Sequence, residues 1–231
     1  MTAIEVKRSL FLTTSGAGAK PTAIERKIKR VCQDVLRMGA LVEDSFRLSQ
    51  QALFARDLSV LDRIATLEDR IDEFYHQIEL DCVVTMTLNA PVAENCRWLS
   101  ALMQLVRDLE RIGDYAQDLA EIAVKLFPYG PHPHLADVES MARQTMAMLG
   151  MSLAALVEPD PEAGARLKEA DNAVDEAYDR LYGLLANQRD VPGAIEPIVL
   201  MVLTIRHIER MADHATNIAQ RASYIVTGHR Q

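Results

Sequence analysis

The octet Leu109-Glu110-Arg111-Ile112-Gly113-Asp114-Tyr115-Ala116 returns near the C-terminus as Ile208-Glu209-Arg210-Met211-Ala212-Asp213-His214-Ala215. The register between the copies is 99 residues, Glu110 to Glu209, and Arg107/Arg206 and Ala120/Ala219 match in it too. Internal duplication is the simplest explanation, and it binds the fold tightly: what one half builds, the other should build again. Within each copy two carboxylates stand four residues apart. On a helix of 3.6 residues per turn the second is turned only about 40° from the first, so both leave one face.

That placement is unfavourable on its own. Like charges four apart on a helix repel by roughly 0.2–0.5 kcal/mol, where a lysine in the second position would have attracted. With 33 acidic residues in 231, such pairs arise by chance about four or five times in a chain of this composition. The informative fact is therefore the recurrence of the pair inside the same apolar frame.

The surroundings read as helix throughout. Aromatic residues make up only 5% of the chain, hydrophobic residues 49%, and Gly and Pro collect between long apolar-periodic runs, a profile that points to an all-α protein. Residues 1–20 have the composition of a flexible N-terminal extension. A first helix is expected from Pro21 to about Ala55, interrupted by Gly39, a mid-helix cost that close approach of a neighbouring helix would compensate. Asp57 caps a second helix over about Leu58–Leu88, and Asn89-Ala90-Pro91 leads into a third over about Val92–Phe127. At 1.5 Å per residue each is roughly 45 Å long, and short turns between them make an antiparallel three-helix bundle over residues 21–127.

The Pro- and His-rich connector 128–134 is the clearest punctuation. Beyond it, 135–228 repeats the plan with helices over about Leu135–Val157, Glu162–Asn187 and a last one to about Val226, ended by Gly228. The expected architecture is two tandem similar three-helix bundles.

The middle helices carry acidic pairs of their own, Glu68 with Asp72 and Asp171 with Asp175. Counting back from the turn at Pro91 puts Glu68 and Asp72 at the height of Glu110 and Asp114, and the second half repeats this with Asp171, Asp175, Glu209 and Asp213. Four carboxylates facing across one helix seam would be strongly repulsive unless paired. A multivalent cation resolves the repulsion, and carboxylate-only ligands select hard or borderline metals. The competing explanation is that Arg70, Arg107, Arg111, Arg206 and Arg210 neutralise a solvated acidic face. Asp118, Glu121, His76, Glu79, Asp179 and Tyr182 extend the same stripes as secondary candidates. His207 points about 160° from Glu209 and is expected on the surface or facing a partner, and His132 and His134 are expected to be solvated.

Other chemistries find little support. The net charge of −8 argues against direct nucleic-acid binding. Cys32, Cys82 and Cys96 show neither disulfide-framework nor thiolate-metal spacing. No apolar run approaches the roughly 18 residues of a membrane span, and no secretory leader is evident, so a cytoplasmic location is expected. There is no G-x-S-x-G and no Gly-rich phosphate loop.

These residues resemble a known family. Leu67-Glu68-Asp69-Arg70-Ile71-Asp72, Ala90-Pro91-Val92-Ala93, the Leu109–Asp114 motif, Met38-Gly39 with Leu41-Val42-Glu43, and Tyr224-Ile225-Val226-Thr227-Gly228 are together similar to the PhoU family of phosphate-signalling regulators, over about residues 30–228. The resemblance implies a non-enzymatic regulator that restrains the phosphate-starvation response of a two-component system. It further implies contact with a sensor histidine kinase and with the ATPase subunit of a high-affinity phosphate transporter, and usually a homodimer. Carried over by position, it implies metal (iron, Mg, Mn or Zn) at Glu68, Asp72, Glu110, Asp114, Asp171, Asp175, Glu209 and Asp213. Two rivals stand beside it: a di-metal carboxylate enzyme with oxidase or phosphohydrolase activity, which needs water access to the metals, and a metal-free helical scaffold.

Overall fold

The computed structural model describes residues 22–158, 160–188 and 193–229. The expected N-terminal extension, 1–20, lies outside the described residues. Six long helices follow in order: α1 (Ala23–Phe54), α2 (Leu61–Asn89), α3 (Ala93–Leu126), α4 (Leu135–Val157), α5 (Ala163–Ala186) and α6 (Glu196–Thr227). None among the described residues is long and apolar enough to cross a membrane.

Their ends are set by local chemistry. Thr22 accepts from the Glu25 amide at 3.3 Å while the Glu25 carboxylate accepts from the Thr22 amide at 2.6 Å, so a capping box in Thr22-x-x-Glu25, rather than Pro21, starts α1. Asp57 does cap, accepting from the Ser59 amide at 3.0 Å, but what it starts is a single tight turn, Leu58–Val60, with α2 beginning only at Leu61. Ala90, at φ 40°, breaks α2 just before Pro91. Gly228 ends α6 at φ 72°, a left-handed conformation that a side chain resists, and a Cβ there would meet the Arg97 guanidinium at 2.5 Å.

Within the first half α1, α2 and α3 each pack on the other two, and α4, α5 and α6 do the same in the second half. The duplication read from the sequence is thus two tandem three-helix bundles. The halves meet along α3 against α6 and α1 against α4, and the buried side chains of both form one continuous core. Ser223, fully buried on α6, accepts from the Gly164 amide at 3.1 Å and donates to the Asp160 carbonyl at 3.2 Å, tying the end of α6 to the α4–α5 turn.

Gly39 confirms that its position serves a close helix approach. A Cβ there would come within 2.6 Å and 3.1 Å of the two terminal methyls of Leu153, so the α1–α4 crossing passes directly over it. Gly150, placed in α4 much as Gly39 is in α1, has only the Glu43 carboxylate at an ordinary 3.5 Å. Removing a glycine from a helix interior is worth up to about 1 kcal/mol when the new methyl has room. Urea unfolding should therefore show Gly150→Ala more stable than the parent by up to about 1 kcal/mol. Gly39→Ala should give no gain or a loss, since the methyl must displace Leu153.

Candidate functional site

The repeated motif sits in the middle of α3 and of α6 with its apolar positions turned inward. Leu109, Ile112 and Ala116, and their counterparts Ile208, Met211 and Ala215, have no solvent exposure. Gly113 is small because the middle helix of its bundle passes close by, and its counterpart Ala212 is fully buried. A Cβ on Gly113 would lie 3.3 Å from two carbons of Ile71 on α2. This approach holds the acidic pair of α3 beside that of α2. Glu68, Asp72, Glu110 and Asp114 are all half-buried along the edge of one seam, and Asp175, Glu209 and Asp213 are half-buried along the other, where Asp171 is 1% exposed.

The electrostatics show that the pairs face each other. Burial first, and then the charges of Asp72, Asp69 and Asp114, push the Glu68 carboxyl above its ordinary value. Glu110 is raised by burial and by Asp114 and Asp72, and Asp114 by burial, Asp72 and Asp118, with Arg111 opposing in both. In the second seam burial and then Asp171 and Asp213 raise Asp175, and burial, Asp213 and Asp175 raise Glu209. Each shift thus combines desolvation with repulsion across the seam.

Cationic side chains answer part of this charge. Arg111 lies 3.5 Å from Glu110 and 3.0 Å from Asp114, and Arg210 repeats the arrangement at 3.4 Å from Glu209 and 2.9 Å from Asp213. Arg206 pairs with Glu209 at 2.9 Å and Lys168 with Asp171 Oδ2 at 2.7 Å. Among the described residues, no three His, Cys, Asp or Glu side chains come together as a ready-made cage for one ion. The donor set nonetheless fits an oxygen-seeking cation. It consists of carboxylates alone, desolvation and repulsion press protons onto Glu68, Glu110, Asp114, Asp175 and Glu209, and Asp171 Oδ1 is buried with no hydrogen-bond partner. Three of the six secondary candidates are otherwise engaged: Glu79 accepts from the Tyr75 hydroxyl at 3.4 Å, Glu121 pairs with Lys125 at 3.9 Å, and Asp118 faces His207 at 3.7 Å.

His207 corrects the sequence reading. It is turned against α3 rather than out to solvent, its side chain 20% exposed, with its ring 5.3 Å from that of Tyr115. Burial lowers its pKa. One turn pair further on, His214 Nδ1 bonds Asp108 Oδ1 at 2.8 Å, and Arg221 donates to Asp108 Oδ2. Asp108 and Tyr115 on α3, like His207 and His214 on α6, are seven residues apart, one stripe per helix, and that spacing was the available signal for this polar seam between the halves. His132 also departs from expectation: its Nε2 is buried, and burial lowers the ring's pKa.

Comparison with known proteins bears on what these seams belong to. The PhoU domain profile matches residues 35–123 and again 138–222. A Synechocystis protein named phosphate-specific transport system accessory protein PhoU homolog is 61% identical over 207 residues, 90% of this chain and 92% of its own. A Pseudomonas aeruginosa protein of the same name is 29% identical, over 87% of this chain and 84% of its own. The crystal structure of PhoU from Pseudomonas aeruginosa superposes with a TM-score of 0.85 at 28% identity, over 89% of this chain and 100% of that one. The Streptococcus pneumoniae phosphate transport system regulatory protein PhoU, at 23% identity and TM-score 0.82 over 90% and 99%, shares the fold.

The raised carboxyls carry a signed consequence for cation-free protein. A group whose folded pKa exceeds its unfolded one binds protons more tightly when folded, so its seam destabilises the fold above the raised value and relaxes as pH falls through it. The double variant Glu110→Gln/Asp114→Asn should therefore unfold at higher urea than the parent at neutral pH in chelator. The difference should shrink steadily as pH approaches the ordinary carboxylate range. Taking the difference removes the opposing effect of the buried histidines, which both proteins share.

Proposed function

This chain belongs to the PhoU family, and on that premise we propose that it is an accessory regulator of phosphate-specific transport, not an enzyme. Specifically, it acts in the cytoplasm as a homodimer, contacts the ATPase subunit of the transporter and a sensor histidine kinase, and so restrains the phosphate-starvation response. The observation that carries this reading is that both PhoU-domain matches contain the same acidic seam between their second and third helices. The names of the relatives, phosphate-specific transport accessory proteins, support the transporter half of it.

The seams are read as cation sites. Glu68, Asp72, Glu110 and Asp114 would hold metal in the first half, and Asp171, Asp175, Glu209 and Asp213 in the second. What supports this is the oxygen-only donor set, the carboxyls raised by burial and mutual repulsion, and the unpartnered Asp171 Oδ1. A bound cation would supply positive charge that no side chain here provides in full. The protein's own part would be to bring the acidic pairs of neighbouring helices together, helped in the first half by the close packing at Gly113, and to hold arginines ready as counter-charges. In the second seam Asn217 and Gln220 stand where the first has Asp118 and Glu121, so it offers less surplus negative charge.

Two measurements test the proposal separately. Elemental analysis of purified protein should find iron, Mg, Mn or Zn, and Glu110→Ala/Asp114→Ala should lose the metal of the first seam while keeping that of the second. Unchanged metal content in the variant would remove those residues from the site. For the partners, immobilised protein should retain the transporter ATPase subunit and the sensor kinase from purified mixtures. Failure to hold either one at every phosphate and metal concentration would end the regulatory reading.

A further inference from the structure

We propose that the cleft between α3 and α6, where Arg107, Arg111 and Arg221 converge beside His214, binds a small phosphate-bearing anion. The cleft has a volume of about 560 Å³, within the range of roughly 300–1,000 Å³ typical of small-molecule sites and larger than one tetrahedral oxyanion fills. Gln104, Asp108 and Tyr115 complete its lining.

Its charge is opposite to that of the chain. Three guanidiniums line it, with Asp108 the one carboxylate of the lining, in a protein of net charge −8; Arg111 is at the same time paired with Glu110 and Asp114, so Arg107 and Arg221 are the two with donors to spare for an anion. Asp108 is not free to repel an anion or to ligate a metal. It is 6% exposed, and its two oxygens are taken by His214 Nδ1 and Arg221. With Arg221 also 3.4 Å from the Gln104 carbonyl oxygen, the guanidinium is fixed in place by groups that leave part of its fork unused. Arg107, one turn before Arg111 on α3, has no carboxylate within ion-pair distance among the described residues.

Arginine forks match phosphoryl oxygens with paired, charge-assisted hydrogen bonds. A planar carboxylate is satisfied by one such fork, whereas donors arriving from two different helices suit the several non-coplanar oxygens of a phosphoryl group. The Tyr115 and His214 rings, 6.0 Å apart, add flat faces for whatever the phosphoryl group is attached to. The cleft shares Arg111 with the first acidic seam, but anion binding there requires neither the transporter contact nor a bound metal.

Calorimetric titration of the full-length protein with inorganic phosphate, pyrophosphate and AMP, at fixed ionic strength, tests it. At least one probe should bind at one site per chain with Kd below about 1 mM. Which of the three does so separates free phosphate from a phosphorylated metabolite. In NMR spectra the binding probe should move the His214 ring resonances and leave those of His76 in place. Arg107→Gln, on an exposed residue that no ion pair holds, should keep the parent's unfolding midpoint and weaken binding by about tenfold or more; Arg107→Lys, keeping charge but losing the fork, should fall between. Absence of saturable binding by all three probes overturns the proposal, as does unchanged affinity in Arg107→Gln or a response at His76 in place of His214.

Discussion

Everything at the acidic seams depends on apolar packing that forces like charges together. Gly113 on α3 lets Ile71 of α2 approach to within 3.3 Å of a would-be Cβ, and this close helix packing sets the acidic pairs of the two helices beside one another. Burial and mutual repulsion then raise Glu68, Glu110 and Asp114. In the second bundle burial and mutual repulsion likewise raise Asp175 and Glu209, on either side of a seam where Met211 and Ala212 are fully buried. A folded protein tolerates this because the hydrophobic burial of a long helix outweighs a local electrostatic penalty of modest size. Uncompensated charge at a fixed place is what makes the seam chemically interesting.

The two arginines of the motif give this arrangement its balance. Arg111 and Arg210 each stand between the two acids of their own helix, so each seam contains a partial counter-charge that belongs to the chain. An arriving cation has to compete with a guanidinium already tethered beside its ligands. The arginine explanation and the cation explanation, alternatives when read from spacing, are therefore two occupants of one electrostatic need.

Much of this was legible in the sequence because it depends on periodicity. The duplicated octet, the helix spans and the opposition of Glu68–Asp72 to Glu110–Asp114 all follow from counting residues along antiparallel rods. Gly39 was legible for a related reason: a mid-helix glycine signals a close neighbour, and Leu153 is that neighbour. What counting could not supply was the way the two bundles meet. His207 points away from Glu209 and so reads as an outer-face residue of its own bundle, yet the outer face of one bundle is the inner face of a pair. At the start of α1 the sequence offers two signals, Pro21 and the Thr22-x-x-Glu25 box, and only the hydrogen bonds of the box decide between them.

The polar stripe between the bundles carries one more consequence of the duplication. In the 99-residue register, Asp108 corresponds to His207, Tyr115 to His214 and Ile122 to Arg221, so the two copies have diverged where they touch. If the first half were to pair with the first half of another molecule along α3, Asp108 would face a tyrosine and an isoleucine, and a buried carboxylate would lose both its partners. The chain behaves like a heterodimer fused end to end, whose halves have ceased to be interchangeable and recognise each other in preference to their own kind.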